Sequence, residues 1–418
     1  MAGNLKGFEE RLERHRKLIS LIIFLAALVA GCFQLSPPRH FGPGYEMVDI
    51  ASSLVAYGSY ANPFLASPTG PTAANPPAYP LFLAVLIKLL KTYASIFLAA
   101  QLGYILVNAV TAAFLPLVSY VFFGERFPGL VASALWVLAM PMMPSWDVGY
   151  TVAGILWFTV FTGLSIQKGE SALIRGLVAG ILAGVLFLLN PASLFIIAPW
   201  IVFQFLFSRN RRYVLRFGIV LAGMVFLTAF AWSWRNDRQL GAFVIRTNLG
   251  MTLYSSNNDC AESSLVVNTA RNCYQVHHPN TSVAEAELLR QMGEVAYDRK
   301  RIDDTKLWIR ANPGRFSELT KTRFVEFWFP ILDEHSVATY TIWISTVLSV
   351  PGLLFMARRR QNVTWYILAV LVLYPLLYYI VVSDVRYRYP VLWLTLLAAG
   401  FCVKETIEFL SPQVPTLN

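Results

Sequence analysis

Long apolar runs alternate with short polar segments along this chain of 418 residues. Because a helix needs about 20 apolar residues to cross a bilayer, the pattern predicts about ten membrane-spanning helices. They lie near residues 18–36, 94–123, 128–145, 149–167, 172–189, 192–208, 213–233, 338–357, 363–383 and 388–404. The run Tyr79–Leu90 is also apolar, but it is short for a span and is typical of an interfacial or re-entrant helix.

The charges in the short loops agree with this count. Lys and Arg concentrate in the turns at 125–126, 168–175, 209–212 and 358–360. The intervening turns, at 144–147 and 190–191, have neither. Since cytoplasmic loops are enriched in Lys and Arg, the alternation predicts that both termini are cytoplasmic. The first apolar run is longer than the core of a cleaved signal peptide, so we expect a retained span.

The apolar runs and the long polar segments between them divide the chain into three parts. We expect residues 1–232 to form an N-terminal transmembrane module, whose first extracytoplasmic loop (36–93) is polar and rich in proline. Residues 233–337 form a polar insert on the same side, in which apolar positions recur at helical spacing. Residues 338–418 contain the last spans. The predicted fold is an all-α polytopic membrane protein with an interfacial helix in the first loop and one helical insert.

Composition agrees with this fold. The chain is 56% hydrophobic and 14% charged, whereas soluble domains have about 25% charged residues. The net charge of +10 is explained by basic cytoplasmic loops. No basic stripe with interleaved aromatic residues is present, so the expected partner is the lipid bilayer and not a nucleic acid.

Two carboxylates lie in the first extracytoplasmic loop at helical spacing. Glu46 and Asp49 share one face of a predicted helix with Ser53, and an apolar stripe covers the other face. Such a helix at the membrane surface would hold both acids toward water or a cavity. A positioned carboxylate can accept the proton of a hydroxyl group, so both acids are catalytic candidates. The alternative is a solvated helix face without a catalytic role.

Asp147 and three arginines are the other charged candidates. Asp147 stands at the extracytoplasmic end of a span and could supply a second carboxylate or a metal ligand, although an acid at that edge costs little and needs no function. Arg235, Arg386 and Arg388 lie on the same side, against the positive-inside bias. Bidentate phosphate binding is one reason for such arginines, and snorkelling to lipid headgroups is the alternative.

The four cysteines are of two kinds. Cys32 and Cys402 lie in apolar runs, whereas Cys260 and Cys273 lie in the polar insert. If the insert is extracytoplasmic, a disulfide between Cys260 and Cys273 is permitted. No spacing of Cys and His is typical of a zinc site.

Several segments together resemble a known group of enzymes. They are Glu46–Gly58, 71–73, 76–80, 189–191, 234–236, 246–250, 293–297 and 386–390, in this order. The chain resembles the GT-C glycosyltransferases, and most closely the bacterial members of glycosyltransferase family 39 (dolichyl-phosphate-mannose–protein mannosyltransferase-like), which are related to the lipid A aminoarabinose transferase. The resemblance implies a GT-C fold and an inverting transfer from a polyprenyl-phosphate sugar at the periplasmic face of a bacterial inner membrane. It implies no certain cofactor, since a divalent metal (Mg or Mn) is used by some relatives only.

The chain departs from this family at one position. The catalytic Asp of the family would fall near Pro43 or Gly44, and neither is acidic. Glu46 is the nearest carboxylate, so the resemblance gives it the role of the base. The alternatives are a different register and a protein that is not an active transferase.

Residues and resemblance together predict a polyprenyl-phosphate-sugar-dependent glycosyltransferase. Glu46 would be the general base, with Asp49 and Asp147 as supporting acids. The predicted donor-phosphate ligands are Arg235, Arg386 and Arg388, and the residues expected to line the lipid and acceptor cavity are Tyr45, Asn75 and Tyr79. The acceptor would be a protein, a lipid or a glycan.

Two other functions fit part of the pattern. A transporter or flippase of lipid-linked sugar would need inverted repeats, broken helices or charges at mid-membrane, whereas the charges here cluster at one face. A catalytically inactive relative that binds lipid-linked sugar has the missing early Asp in its favour.

Overall fold

Helices form all the regular secondary structure in the part of the chain that this computed structural model describes. The described residues are 2–37, 46–64, 68–90, 92–140, 146–169, 171–331 and 336–410. Within these ranges, two isolated β-bridges join Ala61 to Pro71 and Ser264 to Ser383. The predicted all-α fold is therefore confirmed.

The α-helices in these ranges are α1 (Ala2–Arg14), α2 (Arg16–Cys32), α3 (Glu46–Tyr57), α4 (Ala78–Leu89), α5 (Tyr93–Phe123), α6 (Phe127–Ala139), α7 (Val148–Lys168), α8 (Ala172–Leu189), α9 (Leu194–Phe207), α10 (Arg211–Leu240), α11 (Leu249–Ser256), α12 (Leu265–Ala270), α13 (Cys273–His277), α14 (Val283–Met292), α15 (Glu294–Ala311), α16 (Pro313–Trp328), α17 (Ser336–Arg358), α18 (Val363–Leu373) and α19 (Tyr389–Leu410). Three short 3₁₀ helices are Pro191–Ser193, Tyr374–Tyr379 and Val385–Tyr387.

Six of these helices are long and apolar enough to cross a membrane, namely α5, α7, α8, α10, α17 and α19. The pair α1 and α2 would add a seventh span, although the chain bends by 80° between them. Shorter apolar helices are α4, α6, Pro191–Phe207 and Val363–Tyr379. Because several apolar helices of this length cannot all be buried in one soluble core, the chain is an integral membrane protein.

Each predicted span contains one of these apolar helices. Three of the predicted runs, at 128–145, 192–208 and 363–383, give helices of at most 17 residues, which is short for a crossing. In the last of them, a 3₁₀ helix begins at Tyr374 directly after α18, and its second residue is Pro375, which has no N–H for the α-helical ladder. The predicted interfacial helix is α4, which has 12 residues.

The transmembrane core surrounds α19, the most buried of the spans. Two glycines allow its neighbours to approach backbone to backbone. A Cβ added at Gly352 of α17 would overlap the carbonyl of Ala398, and one added at Gly400 would overlap the carbonyl of Pro128 in the first turn of α6. Only glycine permits these approaches, so α19 packs closely against both α17 and α6.

The helices α11 to α16 form the polar insert, which lies over one end of the spans. The backbone N–H of Leu265 donates to the carbonyl of Ser383 at 2.9 Å, and the N–H of Ser383 donates to the carbonyl of Ser263 at 2.7 Å. These bonds join the insert to the segment that leads into α19. A disulfide between Cys260 and Cys273, with a Cα–Cα distance of 5.6 Å, links α13 to the segment between α11 and α12.

Candidate active site

A cavity of about 1190 Å³ lies between the insert and the adjacent ends of the spans. Its charged and amide side chains include Glu46, Asp147, Asn190, Arg246, Asn280 and Arg386. The wall contributed by α8, α9, α10 and the following segment is apolar and includes Leu189, Phe195, Phe226, Phe230 and Phe243. The cavity therefore brings charged groups and a large apolar surface into one site.

Glu46 is the first residue of α3, and it is only 7% exposed. The Asn75 side chain donates its Nδ2–H to Glu46 Oε2 at 3.0 Å, and the Asn280 Nδ2–H is donated to Oε1 at 3.2 Å. The Nε2 atom of His278 lies 3.7 Å from Oε1. Both carboxylate oxygens are thus held in place at the cavity wall, which is the geometry required of a positioned proton acceptor.

His278 contributes a neutral imidazole beside this carboxylate. Its Nδ1 accepts the backbone N–H of Asn280 at 3.2 Å, so the ring proton belongs on Nε2, the nitrogen that faces Glu46. Burial lowers the pKa of His278 to about 4, against the opposite effect of Glu46. The ring stacks on Tyr274 with 4.4 Å between centroids. Sequence reasoning missed His278 and Asn280, because the side chains near Glu46 are set by tertiary folding.

The segment Thr72–Asn75, which we call the platform, presents Asn75 to the site. Its residues are at most 1% exposed. Three of its carbonyls accept hydrogen bonds: Thr72 from Arg235 Nη1 at 2.6 Å, Ala74 from Arg246 Nε at 2.7 Å and Asn75 from the Tyr60 hydroxyl at 2.8 Å. The Ala73 N–H is donated to Glu294 Oε1 at 2.7 Å. The platform is therefore fixed along its whole length.

Asp147 precedes α7 and is 5% exposed. Its Oδ2 accepts the hydroxyl of Thr151 at 2.9 Å. Burial raises the pKa of Asp147 above its ordinary value, although the Thr151 hydrogen bond and the charge of Arg246 act in the opposite direction. The structure thus places a second carboxyl group in the same cavity as Glu46.

Two arginines line the cavity. The guanidinium of Arg386 lies 3.9 Å above the ring of Trp146, and its Nε is 3.1 Å from Asp384. The Arg246 Nη2–H is donated to Asn75 Oδ1 at 3.1 Å. Sequence analysis did not select Arg246, although an arginine in an extracytoplasmic segment opposes the positive-inside bias and that signal could have found it.

The other two predicted phosphate ligands lie outside the cavity lining. Arg235 donates hydrogen bonds to the Thr72 carbonyl of the platform and to the Tyr60 carbonyl, the latter at 3.0 Å. Arg388 is 1% exposed, lies 4.5 Å over the ring of Trp328 and donates to the hydroxyl of Thr395 at 3.0 Å. Because residues two apart in a helical turn point in different directions, Arg386 and Arg388 do not share the cavity.

The remaining candidates have different positions. Asp49, one turn after Glu46, does not line the cavity. Asn75 does not line the cavity itself but contacts Glu46, which does. Tyr79 packs in the core against Phe82 and Tyr150, with 5.8 and 5.4 Å between ring centroids. Tyr45 lies outside the described residues.

The described residues do not fit a Mg or Mn site. The candidate ligand atoms that cluster within 4.8 Å in this part of the chain are those of Cys260, Cys273 and His277. The two sulfurs form a disulfide and are not thiolates, and Mg²⁺ and Mn²⁺ prefer oxygen ligands. We therefore assign no step to a metal.

The apolar wall of the cavity reaches the surface of the spans. Phe226 lies well inside α10 and is 66% exposed, and Phe230 and Phe195 are also exposed. In water these rings would form an unfavourable apolar patch, but on a spanning helix they face lipid. The cavity therefore opens toward the lipid-facing surface of α10.

The fold and the site define a polytopic membrane protein with a lipid-accessible, carboxylate-bearing cavity. Over 94% of its length the chain aligns with an archaeal oligosaccharyltransferase, AglB from Archaeoglobus fulgidus in complex with an inhibitory peptide and a dolichol-phosphate, with a TM-score of 0.55, 12% identity and 51% coverage of that chain. A crystal structure of the Archaeoglobus fulgidus oligosaccharyltransferase in complex with Zn and sulfate gives a TM-score of 0.56 and 13% identity over 93% of this chain and 49% of that one.

These alignments show the fold. The chain has the GT-C fold, as the sequence resemblance implied, and it spans about half the length of the oligosaccharyltransferase chains. ArnT from Cupriavidus metallidurans bound to undecaprenyl phosphate aligns over 93% of this chain and 78% of that one, with 12% identity and a TM-score of 0.38. No protein-family model and no curated protein sequence matches the chain.

Proposed function

We propose that this protein is a glycosyltransferase that transfers a sugar from a polyprenyl-phosphate-linked donor to an acceptor hydroxyl, with inversion at the anomeric carbon. The observation that carries the proposal is the cavity itself. It combines a positioned carboxylate, two arginines and an apolar wall that opens to lipid, within a GT-C fold. A protein, a lipid and a glycan all remain acceptor classes for this site.

The arginines suit the phosphate of the donor. Arg386 and Arg246 line the cavity, and guanidinium groups bind phosphate oxygens with charge-assisted hydrogen bonds. The Arg386 side chain is held by Trp146 and Asp384, so little of its rotamer freedom remains to be lost on binding. The apolar wall of α9 and α10 would take the polyprenyl chain.

The reaction needs one proton acceptor and no acid. The acceptor oxygen forms a bond to the anomeric carbon while the bond from that carbon to the phosphate oxygen breaks. Glu46 takes the hydroxyl proton, and the lipid phosphate leaves with the electron pair as an anion that the arginines stabilise. Asp147, whose pKa is raised by burial, is a supporting group that orients the acceptor.

The proposal includes the orientation of the site. The disulfide between Cys260 and Cys273 is stable in an oxidising compartment, and the basic turns lie at the other end of the spans. Both features support an active site on the periplasmic side of a bacterial inner membrane, with both termini in the cytoplasm. In this arrangement the insert covers the site and contacts the acceptor.

Donor binding is the first test. Purified protein in lipid nanodiscs should bind undecaprenyl phosphate saturably. The same protein, supplied with undecaprenyl-phosphate-linked hexoses and host membranes as acceptors, should release undecaprenyl phosphate, which mass spectrometry detects. Absence of saturable binding by the wild-type protein would overturn the donor assignment.

Replacement of the base tests the mechanism. Glu46→Gln should lower donor consumption by about 100-fold or more, because general-base catalysis contributes about 10²–10⁴-fold. Affinity for undecaprenyl phosphate should stay within threefold, since the amide keeps the shape of the side chain. The matched control is Glu287→Gln, at a partly exposed residue of the insert that pairs with Arg290. Donor consumption by Glu46→Gln at the rate of this control would exclude Glu46 as the base.

A further inference from the structure

Asn75 contacts both a cavity arginine and the carboxylate with the two ends of one amide. Its Nδ2–H is donated to Glu46 Oε2 at 3.0 Å, and its Oδ1 accepts the Arg246 Nη2–H at 3.1 Å. The side chain is completely buried, so no water competes for either bond. We infer that Asn75 is a positioning residue that fixes the phosphate-binding guanidinium of Arg246 and the carboxylate of Glu46 relative to each other.

An amide at this position suits the chemistry of both partners. A guanidinium has only donors, and an ionised carboxylate has only acceptors. The group between them must therefore accept on one side and donate on the other, which also determines the orientation of the Asn75 amide. An Asp at this position would face Glu46 with a second acceptor, and a Leu would satisfy neither partner.

The platform gives this bridge a fixed base. The Asn75 carbonyl accepts the Tyr60 hydroxyl, and the Ala74 carbonyl accepts the Arg246 Nε–H at 2.7 Å. Arg246 is thus held by both the backbone of the platform and the Asn75 side chain. The separation between Arg246 and Glu46 is set by a buried segment that is bonded at every residue, and not by two independent flexible side chains.

This role rests on the proposed function. In an inverting transfer, the acceptor oxygen and the leaving phosphate lie on opposite sides of the anomeric carbon. A base and a phosphate ligand with a fixed separation hold these two groups in line at once, and such alignment contributes strongly to rate. Asn75 acts through Glu46 and Arg246 and touches no reacting atom itself.

Other charged and titratable groups lie near Glu46 or line the same cavity, and the experiment must separate them from Asn75. They are Asp49 on α3, Asp147 before α7, Arg246 across the Asn75 amide, Tyr274 and His278 on the α13 side, and Arg386 near His278. None of them is changed by substitution of Asn75, so a difference between variants at this one position reports on the bridge.

The test compares Asn75→Asp and Asn75→Leu with Asn62→Asp. Asn62 lies in the same loop, and its Oδ1 accepts the Gly70 N–H at 2.8 Å, a bond that an Asp preserves. The first readout is an infrared pH titration of the buried carboxyl groups, with Glu46→Gln spectra to identify the Glu46 band. The second readout is the pH dependence of kcat/KM for an undecaprenyl-phosphate hexose. Gel filtration selects variants that stay monodisperse.

We expect Asn75→Asp to raise the midpoint of the Glu46 titration by at least about one pH unit, because two adjacent carboxylates cannot both ionise freely. The acidic limb of kcat/KM should move in the same direction. Asn75→Leu should lower kcat/KM at least tenfold and weaken binding of undecaprenyl phosphate, since Arg246 loses its Oδ1 partner. Asn62→Asp should change neither readout.

Two outcomes separate this inference from the proposed function. If the Glu46 titration has the same midpoint in Asn75→Asp as in Asn62→Asp, the inferred contact between Asn75 and Glu46 is wrong, whatever the activity. If the titration moves but the acidic limb of an active enzyme does not, Asn75 is merely structural and the positioning role is overturned. A wild-type protein that neither binds undecaprenyl phosphate nor consumes donor overturns the proposed function. The positioning role is then overturned as well, even if the infrared titration of Glu46 still shifts in Asn75→Asp.

Discussion

Arg386 and Arg388 show how strongly the environment of one residue type varies at the residue scale. Arg386 lines the cavity, with its guanidinium against Trp146 and its Nε near Asp384. Arg388 is buried between α16, α17 and α19, and its Nε and Nη1 have no hydrogen-bond partner among the described residues. An Arg-x-Arg pattern predicts phosphate binding for both residues, but only one of them reaches the cavity.

We expect Arg386→Met to weaken binding of undecaprenyl phosphate at least tenfold, because a hydrogen bond to a charged group contributes about 1.5–3 kcal/mol. Arg388→Met is the matched control and should keep the affinity within threefold. Microscale thermophoresis with nanodisc-embedded protein measures both. Equal losses for the two variants would contradict the assignment of Arg386 to the donor phosphate.

At the scale of elements, the platform is attached to the insert through a buried acid. Glu294, at the start of α15, accepts the Ala73 N–H at 2.7 Å and a hydrogen bond from the Thr247 hydroxyl. Burial raises the pKa of Glu294, although its hydrogen bonds act in the opposite direction. The native state therefore favours the protonated carboxyl more than the unfolded state does.

This shift predicts how stability depends on pH. The contribution of Glu294 to the free energy of unfolding is greatest below its unfolded pKa and decreases as the pH rises through its folded pKa, because ionisation costs more in the native state. Glu294→Gln removes this dependence while keeping an acceptor for the Ala73 N–H. The apparent melting temperature of the variant, relative to wild type, should rise by about 2 °C or more between pH 4.5 and pH 8. Differential scanning fluorimetry measures it, with Glu287→Gln as control, and a difference that is constant with pH would contradict the prediction.

The disulfide holds the element that carries His278. Cys273 begins α13, Tyr274 follows it, and His278 comes directly after the helix. The two cysteines of the disulfide are 13 residues apart in sequence. Because α13 is only five residues long, it cannot be stable alone and depends on this link and on packing.

The double variant Cys260→Ser, Cys273→Ser should therefore unfold more easily, by about 2–4 kcal/mol as is typical for a lost disulfide. Donor consumption should fall as well, since Tyr274 and His278 lose their support. Cys32→Ser changes an exposed free cysteine and serves as the control. Unchanged activity of the double variant would show that α13 keeps its position without the bond.

At the scale of the whole molecule, hydropathy predicted the spans well because it is a local property of the chain. Each predicted run contains an apolar helix, and the count differs only where helices are short. The neighbours of Glu46 could not be predicted in this way. Asn280 is 234 residues away from Glu46 in sequence, and Arg246 is 171 residues away from Asn75. No local pattern indicates such contacts, so sequence reasoning could not place Asn280 beside Glu46 or Arg246 beside Asn75.

The length of α10 relates the cavity to the basic turns. This helix has 30 residues and is about 45 Å long at 1.5 Å per residue. Its first turn follows the basic segment at Arg209, and its end leads to Phe243 and Arg246 of the cavity. The basic turn and the site therefore lie on opposite sides of a bilayer that α10 crosses.

This arrangement predicts which side each surface faces. In a Cys32→Ser background, Arg290→Cys on the insert should react with a membrane-impermeant maleimide in intact spheroplasts. Arg209→Cys should react only after permeabilisation, since cytoplasmic loops are enriched in Lys and Arg. Both parent residues are exposed, so access is decided by the membrane. The reverse labelling pattern would place the cavity in the cytoplasm, where the disulfide that supports α13 would not persist, and the proposed periplasmic transfer would then be excluded.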